Sequence, residues 1–193
     1  FDYIDVELRS NLLDVMIEKS GRGLIVSYHD FEGVPQDLDA IYAAIAARGA
    51  DIAKIAVTPR SIAEVGRFLD FAARAAVPPG LPLIPIAMGP LGIVSRVMAG
   101  RYGAPFTFAC VEAGSEAAPG QVPVAELAGA YRVREVTAAT KLYGVVGTQV
   151  ARSLSPAIHN AGFAAREIDA VYVPLQAEAL TPFLDALPAL GLS

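Results

Sequence analysis

The sequence predicts an α/β fold: part of a (β/α)8 barrel, then the opening of a second, smaller α/β unit. Two observations carry that expectation. Short β-rich runs alternate with helical patterns at roughly 25-residue spacing, as parallel strands joined by crossover helices require. The strand-like runs also hold polar residues, whereas strands covered by helices on both faces of an open sheet are apolar throughout. In a barrel, polar side chains from several strand ends converge on the C-terminal mouth.

The first strand is expected at Tyr3–Leu8, where Asp5 and Glu7 share one pleat face. Leu24–Tyr28 follows, with Ser27 inside it and His29 just beyond. Asp37 opens a short helical pattern of Leu38, Ile41 and Ile45, and Gly49 closes it. The third strand, Ile52–Val57, lies in GADIAKIAV and sets Lys54 among Ile52, Ala53, Ile55 and Ala56. Ser61 starts a helix whose apolar face is Ile62, Val65, Phe68, Leu69 and Ala72. Leu83–Met88 and Phe106–Val111 complete five strands. TAATK (137–141) lacks periodicity and reads as a linker between a unit at 1–136 and another at 142–193. In the second unit LYGVVG and AVYVPL read as strands and LTPFLDALPAL as a helix. SPAIHNAGFAAREI reads as a helix with Pro156 in its first turn.

The chain has 193 residues, 54% hydrophobic and 18% charged, a globular rather than disordered profile. A net charge of -5 without a Lys/Arg cluster offers nothing to nucleic acid. The single cysteine, Cys110, excludes an internal disulfide, and with only His29 and His159 beside it no metal centre is expected. Gly, Pro or charge interrupts every apolar run before it could span a bilayer, so no membrane partner and a cytoplasmic location are expected. The start at FDYIDVEL, without Met, and the end at LPALGLS lead us to expect a fragment of a longer protein.

Lys54 poses the chemical question. A buried ammonium is costly unless it is paired, neutralised or used, although at a strand end it could reach solvent along its aliphatic stem. A neutral lysine amine attacks carbonyls, and the resulting imine acidifies the adjacent C–H. A histidine suits the movement of that proton. His29 ends the preceding strand, and neighbouring strands lie about 4.8 Å apart. Asp5 and Glu7 form either a polar layer in the barrel or part of the catalytic group. Arg96, at the end of MGPLGIVSR, is placed to hold a carboxylate in a bidentate pair or to sit on a helix surface. Gln121, in the tight turn APGQ, offers an uncharged donor and acceptor.

In order, IDVEL, S-x-HDF (Ser27 to Phe31), GADIAKIAV, MG-x-x-G-x-x-SR, TFA and APGQ resemble type I 3-dehydroquinate dehydratase over roughly residues 2 to 136. The resemblance implies a TIM barrel, of which strands four to eight are present. It implies a syn dehydration of 3-dehydroquinate to 3-dehydroshikimate through a lysine Schiff base, without a cofactor. Lys54 would be the imine lysine and His29 the proton shuttle. Arg96 and Gln121 would be substrate ligands, with Asp5 and Glu7 polar residues beneath the site. Two departures stand out. The family's E-W-R and F-R-x-x-EGG motifs, with the carboxylate that orients the histidine, would lie upstream of Phe1. Ala117 stands where the family often has a serine, and Ser115 is the candidate to replace it.

The tail LYGVVG…SLSPAIHNAGF…YVPL resembles the start of the shikimate dehydrogenase substrate domain. That family's S-x-S, here Ser153 and Ser155, binds the carboxylate of 3-dehydroshikimate or shikimate; an ordinary helix cap at Ser155 is the alternative. NADP is implied for this second activity, but the chain has no G-x-G-x-x-G or Walker A sequence, so its binding domain is expected to be absent. Together the two parts resemble a bifunctional dehydratase–dehydrogenase of the shikimate pathway, with small-molecule substrates as partners. Two other readings remain. Another class I Schiff-base lyase, such as an aldolase, would keep Lys54 without needing His29 or Arg96. A non-catalytic barrel remnant would bind a small acid or a partner.

Overall fold

The computed structural model describes residues 2–12, 23–77 and 80–193. Its first part alternates β1 (Tyr3–Glu7), β2 (Gly23–Asp30), α1 (Leu38–Ala47), β3 (Ile52–Val57), α2 (Ile62–Ala75) and β4 (Leu83–Ala87). A short α3 (Ile93–Val97) follows, then a long irregular stretch. The second part is β5 (Lys141–Gly147), α4 (Ser155–Ala165), β6 (Ala170–Gln176) and α5 (Leu180–Leu190).

The four strands of the first part form one parallel sheet in sequence order, and β5 pairs in parallel with β6 in a second. Parallel neighbours need crossovers, and α1 and α2 supply them. The expected start at Ser61 is seen: its hydroxyl accepts from the Glu64 amide at 3.3 Å. Asp37 precedes α1 without a side-chain cap, and Gly49, at φ +71°, turns the chain out of that helix.

Register divides the sheet into two unlike faces. Val6, Val26, Ala53, Ile55, Leu83 and Ala87 join one large apolar cluster with Ile41 and Ile45 of α1 and Phe68 and Leu69 of α2. The opposite face carries a smaller cluster, Ile25, Ile52, Ala56, Ile84, Ile86 and Met88, with Phe108 and Ala118 packed against it. On that face Glu7, Ser27, Lys54 and Ile84 lie side by side in one row across the four strands. Asp5, Glu7, Ser27, His29 and Lys54 thus share the side that a barrel turns inward, while Asp30, at the end of β2, falls on the other face.

The expected fifth strand, Phe106–Val111, is not formed; its one ladder contact is an isolated bridge from Cys110 to Pro123. The cause lies in the free edge of β4. Ala53 and Val57 bond to Pro82 and Met88, so the even positions of β4 serve β3 and the odd ones face outward. Of these, Pro85 has no N–H, and the Ala87 N–H is taken by the Ser95 hydroxyl at 2.8 Å. The edge retains little to donate. Residues 106–111 instead bond elsewhere: the Phe108 carbonyl accepts from Arg96, and Cys110 exchanges bonds with Val122 and Val124.

Residues 137–140 form a turn closed by Thr137 and Thr140, and Lys141 is already the first residue of β5. Helix α4 ends at Ala165, short of the expected Ile168, because Glu167 adopts φ +54°. The second part packs onto the first through α5 and α2. A Cβ built on Gly66 would stand 3.3 Å from the Ala189 methyl carbon, and Arg101 donates to the carbonyl of Gly191, the α5 C-cap, at 2.9 Å. No helix among the described residues is long and apolar enough to cross a membrane.

The close approach at Gly66 generates a test. Gly66→Leu overpacks the α2–α5 contact and lowers stability by about 1–3 kcal/mol in a urea titration. An unchanged midpoint would mean that the two helices do not touch in solution.

Candidate active site

Lys54 does not sit at a strand end and does not reach solvent. It lies inside β3, only 8% exposed, and its ammonium forms an ion pair with Asp5 on β1. Those strands are separated by β2, so in a flat sheet they would stand roughly 9.6 Å apart, twice the strand spacing. The sheet is curved enough for Lys54 to reach across its concave face. The Phe108 ring lies 4.9 Å from the ammonium and adds a cation–π contact.

His29 sits two residues beyond the row of Glu7, Ser27 and Lys54, and reaches back so that Nδ1 lies 2.7 Å from the Glu7 carboxylate. Phe31 stacks on the imidazole with ring centroids 6.1 Å apart and planes 10° from parallel. The loop after β2 is held from behind. The Asp30 carboxylate accepts from the amides of Glu32 and Gly33 and from the Tyr28 hydroxyl, and its carbonyl accepts from Thr58. Burial, then the neighbouring Asp30 charge, pushes the Tyr28 phenol above its ordinary pKa.

Arg96, on α3, is 1% exposed and not a surface arginine. Among the described residues only Nη1 has a partner, the Phe108 carbonyl at 3.2 Å; Nε and Nη2 are buried without one there. Desolvation lowers its pKa. A guanidinium with two buried, unpartnered nitrogens is a ready donor to a carboxylate. Phe108 connects the two cations: its ring faces Lys54 and its carbonyl meets Arg96.

Gln121 closes its own loop, with the side-chain oxygen accepting from the Ala117 amide at 2.7 Å. That loop is pressed onto the end of β4. Gly89 donates to the Pro119 carbonyl, and a Cβ at Gly120, where φ is +73°, would stand 2.4 Å from the Gly89 oxygen. Ser115 is exposed, and its hydroxyl bonds to Glu112 within one turn. The structure therefore brings Lys54, His29, Asp5 and Glu7 together, sets Arg96 behind Phe108, clamps Gln121 near the mouth, and leaves Ser115 outside.

Ser153 and Ser155 lie before and at the start of α4, and the Ser153 hydroxyl accepts from the Ser155 amide at 3.2 Å. Ser155 is inside the helix, and Leu154 occupies the cap position, so the alternative of an ordinary cap at Ser155 is not what forms. Behind them Asn160 bonds both backbone groups of Tyr172, at 2.8 and 2.7 Å, and fixes α4 to β6.

Sequence reasoning missed Phe108 and Ser95. The F-T-F spacing was the available signal, since it puts Phe106 and Phe108 on one face.

The buried, unpartnered guanidinium generates a test. Arg96→Met removes two unsatisfied donors and raises stability by about 1–3 kcal/mol, while weakening small-carboxylate binding. A loss of stability of that size would show that the guanidinium is fully paired.

Comparison with known proteins places these residues among relatives. Residues 1–138 match the family described as type I 3-dehydroquinase, and residues 145–193 match the shikimate dehydrogenase substrate binding domain. A bifunctional 3-dehydroquinate dehydratase/shikimate dehydrogenase, chloroplastic, from Arabidopsis thaliana is 37% identical over 191 residues. That match covers 96% of this chain and 31% of the plant protein. The crystal structure of 3-dehydroquinate dehydratase from Geobacillus kaustophilus shares 36% identity at a TM-score of 0.59, covering 66% of this chain and 51% of its own. A solved S. pombe dehydroquinate dehydratase and shikimate dehydrogenase covers 96% of this chain at 23% identity and a TM-score of 0.57, a likeness of fold. The chain spans about a third of that plant protein and about half of the bacterial one.

Proposed function

The chain belongs to the type I 3-dehydroquinase family, and from that premise we propose that it dehydrates 3-dehydroquinate to 3-dehydroshikimate through an imine on Lys54. The observation that carries the reading is a buried lysine paired with a carboxylate beside a histidine–carboxylate pair, on the concave face of a parallel sheet.

The residues divide the chemistry as follows. Asp5, bonded to the Lys54 ammonium, takes its proton and frees the amine to attack the substrate carbonyl. Loss of water then gives the protonated imine, an electron sink. His29 removes a proton from the adjacent carbon, and the electron pair moves into the imine. The returning pair expels the neighbouring hydroxyl, which leaves as water with a proton from His29. Hydrolysis releases 3-dehydroshikimate and restores the amine. Arg96 holds the substrate carboxylate, and Gln121 contacts its hydroxyls.

The tail, with a boundary near residues 137–141, belongs in this proposal to the substrate domain of a second activity, reduction of the product to shikimate. Ser153 and Ser155 would hold the carboxylate there, near the N-terminus of an eleven-residue helix. NADP would be the reductant of that second activity. The residues present do not fit it, because the chain has no glycine-rich phosphate loop. The substrates are small acids, and a cytoplasmic location goes with this reading.

The chain has three lysines, so the test is discriminating. Borohydride reduction in the presence of 3-dehydroquinate adds the ligand mass to the peptide carrying Lys54. His29→Ala still traps the imine, while turnover falls about 10²–10⁴-fold. Mass on Lys19 or Lys141, or near-normal turnover without His29, would contradict the assignment.

A further inference from the structure

We propose that Cys110 is an oxidation site beside Arg96: hydrogen peroxide converts its thiol to a sulfenate that occupies the guanidinium and shuts out the substrate. The proposal rests on the reading of Arg96 as the group that holds the substrate carboxylate, and adds a reversible control to it.

Geometry puts the sulfur beside the cation. Cys110 follows Phe108 by two residues, the spacing that keeps side chains on one face of an extended run. The Phe108 carbonyl is itself bonded to Arg96 at 3.2 Å. Both backbone groups of Cys110 are fixed, the N–H donating to Val122 at 3.1 Å and the carbonyl accepting from Val124 at 2.8 Å. Burial lowers the Arg96 pKa, and negative charge on the Cys110 sulfur offsets part of that, an interaction that needs the two groups close. Arg96 is buried, and its Nε and Nη2 have no partner among the described residues. It therefore has donors in reserve for a new anion as well as for a substrate.

Cys110 is free and 5% exposed. A sulfur so covered admits a molecule little larger than water, which selects hydrogen peroxide over a bulky disulfide. The thiolate sulfur bonds to one peroxide oxygen as the O–O bond breaks. The other oxygen leaves as hydroxide and takes the proton of the new sulfenic acid to become water. The sulfur is oxidised by two electrons and the peroxide is reduced by two. The chain has no second cysteine to condense with the product, so no disulfide forms within it and Arg96 is the partner of the sulfenate. The resting thiol is a weak hydrogen-bonding group and leaves the guanidinium to the substrate. A dithiol reductant returns the site to that state.

The test treats the full chain with hydrogen peroxide and maps its peptides by mass spectrometry. One oxygen is expected on the peptide carrying Cys110, and dithiothreitol removes it, which separates it from sulfoxides at Met88 or Met98. In turnover assays KM for 3-dehydroquinate rises about tenfold to a hundredfold with kcat little changed, as the loss of one bond to a charged group implies. Dithiothreitol restores it. Cys110→Ser gains no removable oxygen and its KM does not respond; Cys110→Ala serves where serine disturbs the packing. Arg96→Met oxidises more slowly, because the cation that favours charge on the sulfur is gone. An unreacted Cys110, or an oxidised one with KM unchanged, overturns the proposal, as does a KM response that persists in Cys110→Ser. Failure of imine trapping at Lys54 would instead remove the dehydratase reading. The oxidation site is then decided by its rate in Arg96→Met, and a rate equal to that of the unmodified chain overturns it.

Discussion

The ion pair between Lys54 and Asp5 is the constraint around which the concave face is arranged. A lysine inside a parallel strand has few ways to satisfy its charge, and here the partner comes from a strand that is not its neighbour. That contact requires curvature, and curvature brings other groups together. Tyr3 on β1 meets Phe106 beyond β4 at 6.2 Å between ring centroids, and Phe106 meets Phe108 at 5.8 Å. Phe108, the end of that aromatic chain, packs against the small apolar cluster on the face that carries Lys54. One face of the sheet therefore serves packing, with α1 and α2 against it, and the other carries the ion-paired Lys54, Asp5, His29 and Glu7.

The strands β1 to β4 and both crossover helices were legible in the sequence because their patterns are local. Alternation places Asp5 with Glu7, and apolar spacing of three and four residues marks α2. Lys54 was legible as an anomaly, a cation where a strand should be apolar. The pairings were not legible. That Lys54 takes Asp5 while His29 takes Glu7 depends on register and curvature, which no single strand encodes. The missing fifth strand was readable in part, since Pro85 announces an edge with a donor removed. The second device, Ser95 bonding the Ala87 amide, depends on a helix turning back on the strand and is invisible in a linear reading.

Arg96 and Ser115 show the limits of local pattern in opposite directions. Both were candidates on motif alone. The first is buried with two nitrogens unsatisfied, as a ligand site would hold it in reserve, and the second has its hydroxyl engaged in its own turn. The tail adds a packing consequence. Helix α5 lies on α2, the helix that backs the strand carrying Lys54, and Arg101 holds the carbonyl of Gly191. The two parts share one apolar core, so the turn at 137–140 joins elements that pack together.

A double-mutant cycle on Asp5 and Lys54 tests the central claim most directly. Unfolding free energies are measured by urea titration for Asp5→Leu, Lys54→Met and the pair together. Removing either partner leaves an uncompensated charge on the concave face, costing about 2–4 kcal/mol, and removing both relieves it. The account predicts a double variant more stable than the sum of the singles by about 1 kcal/mol or more. Additive losses, within about 0.5 kcal/mol, would show that Lys54 is not held by Asp5 and that the curved sheet has another cause.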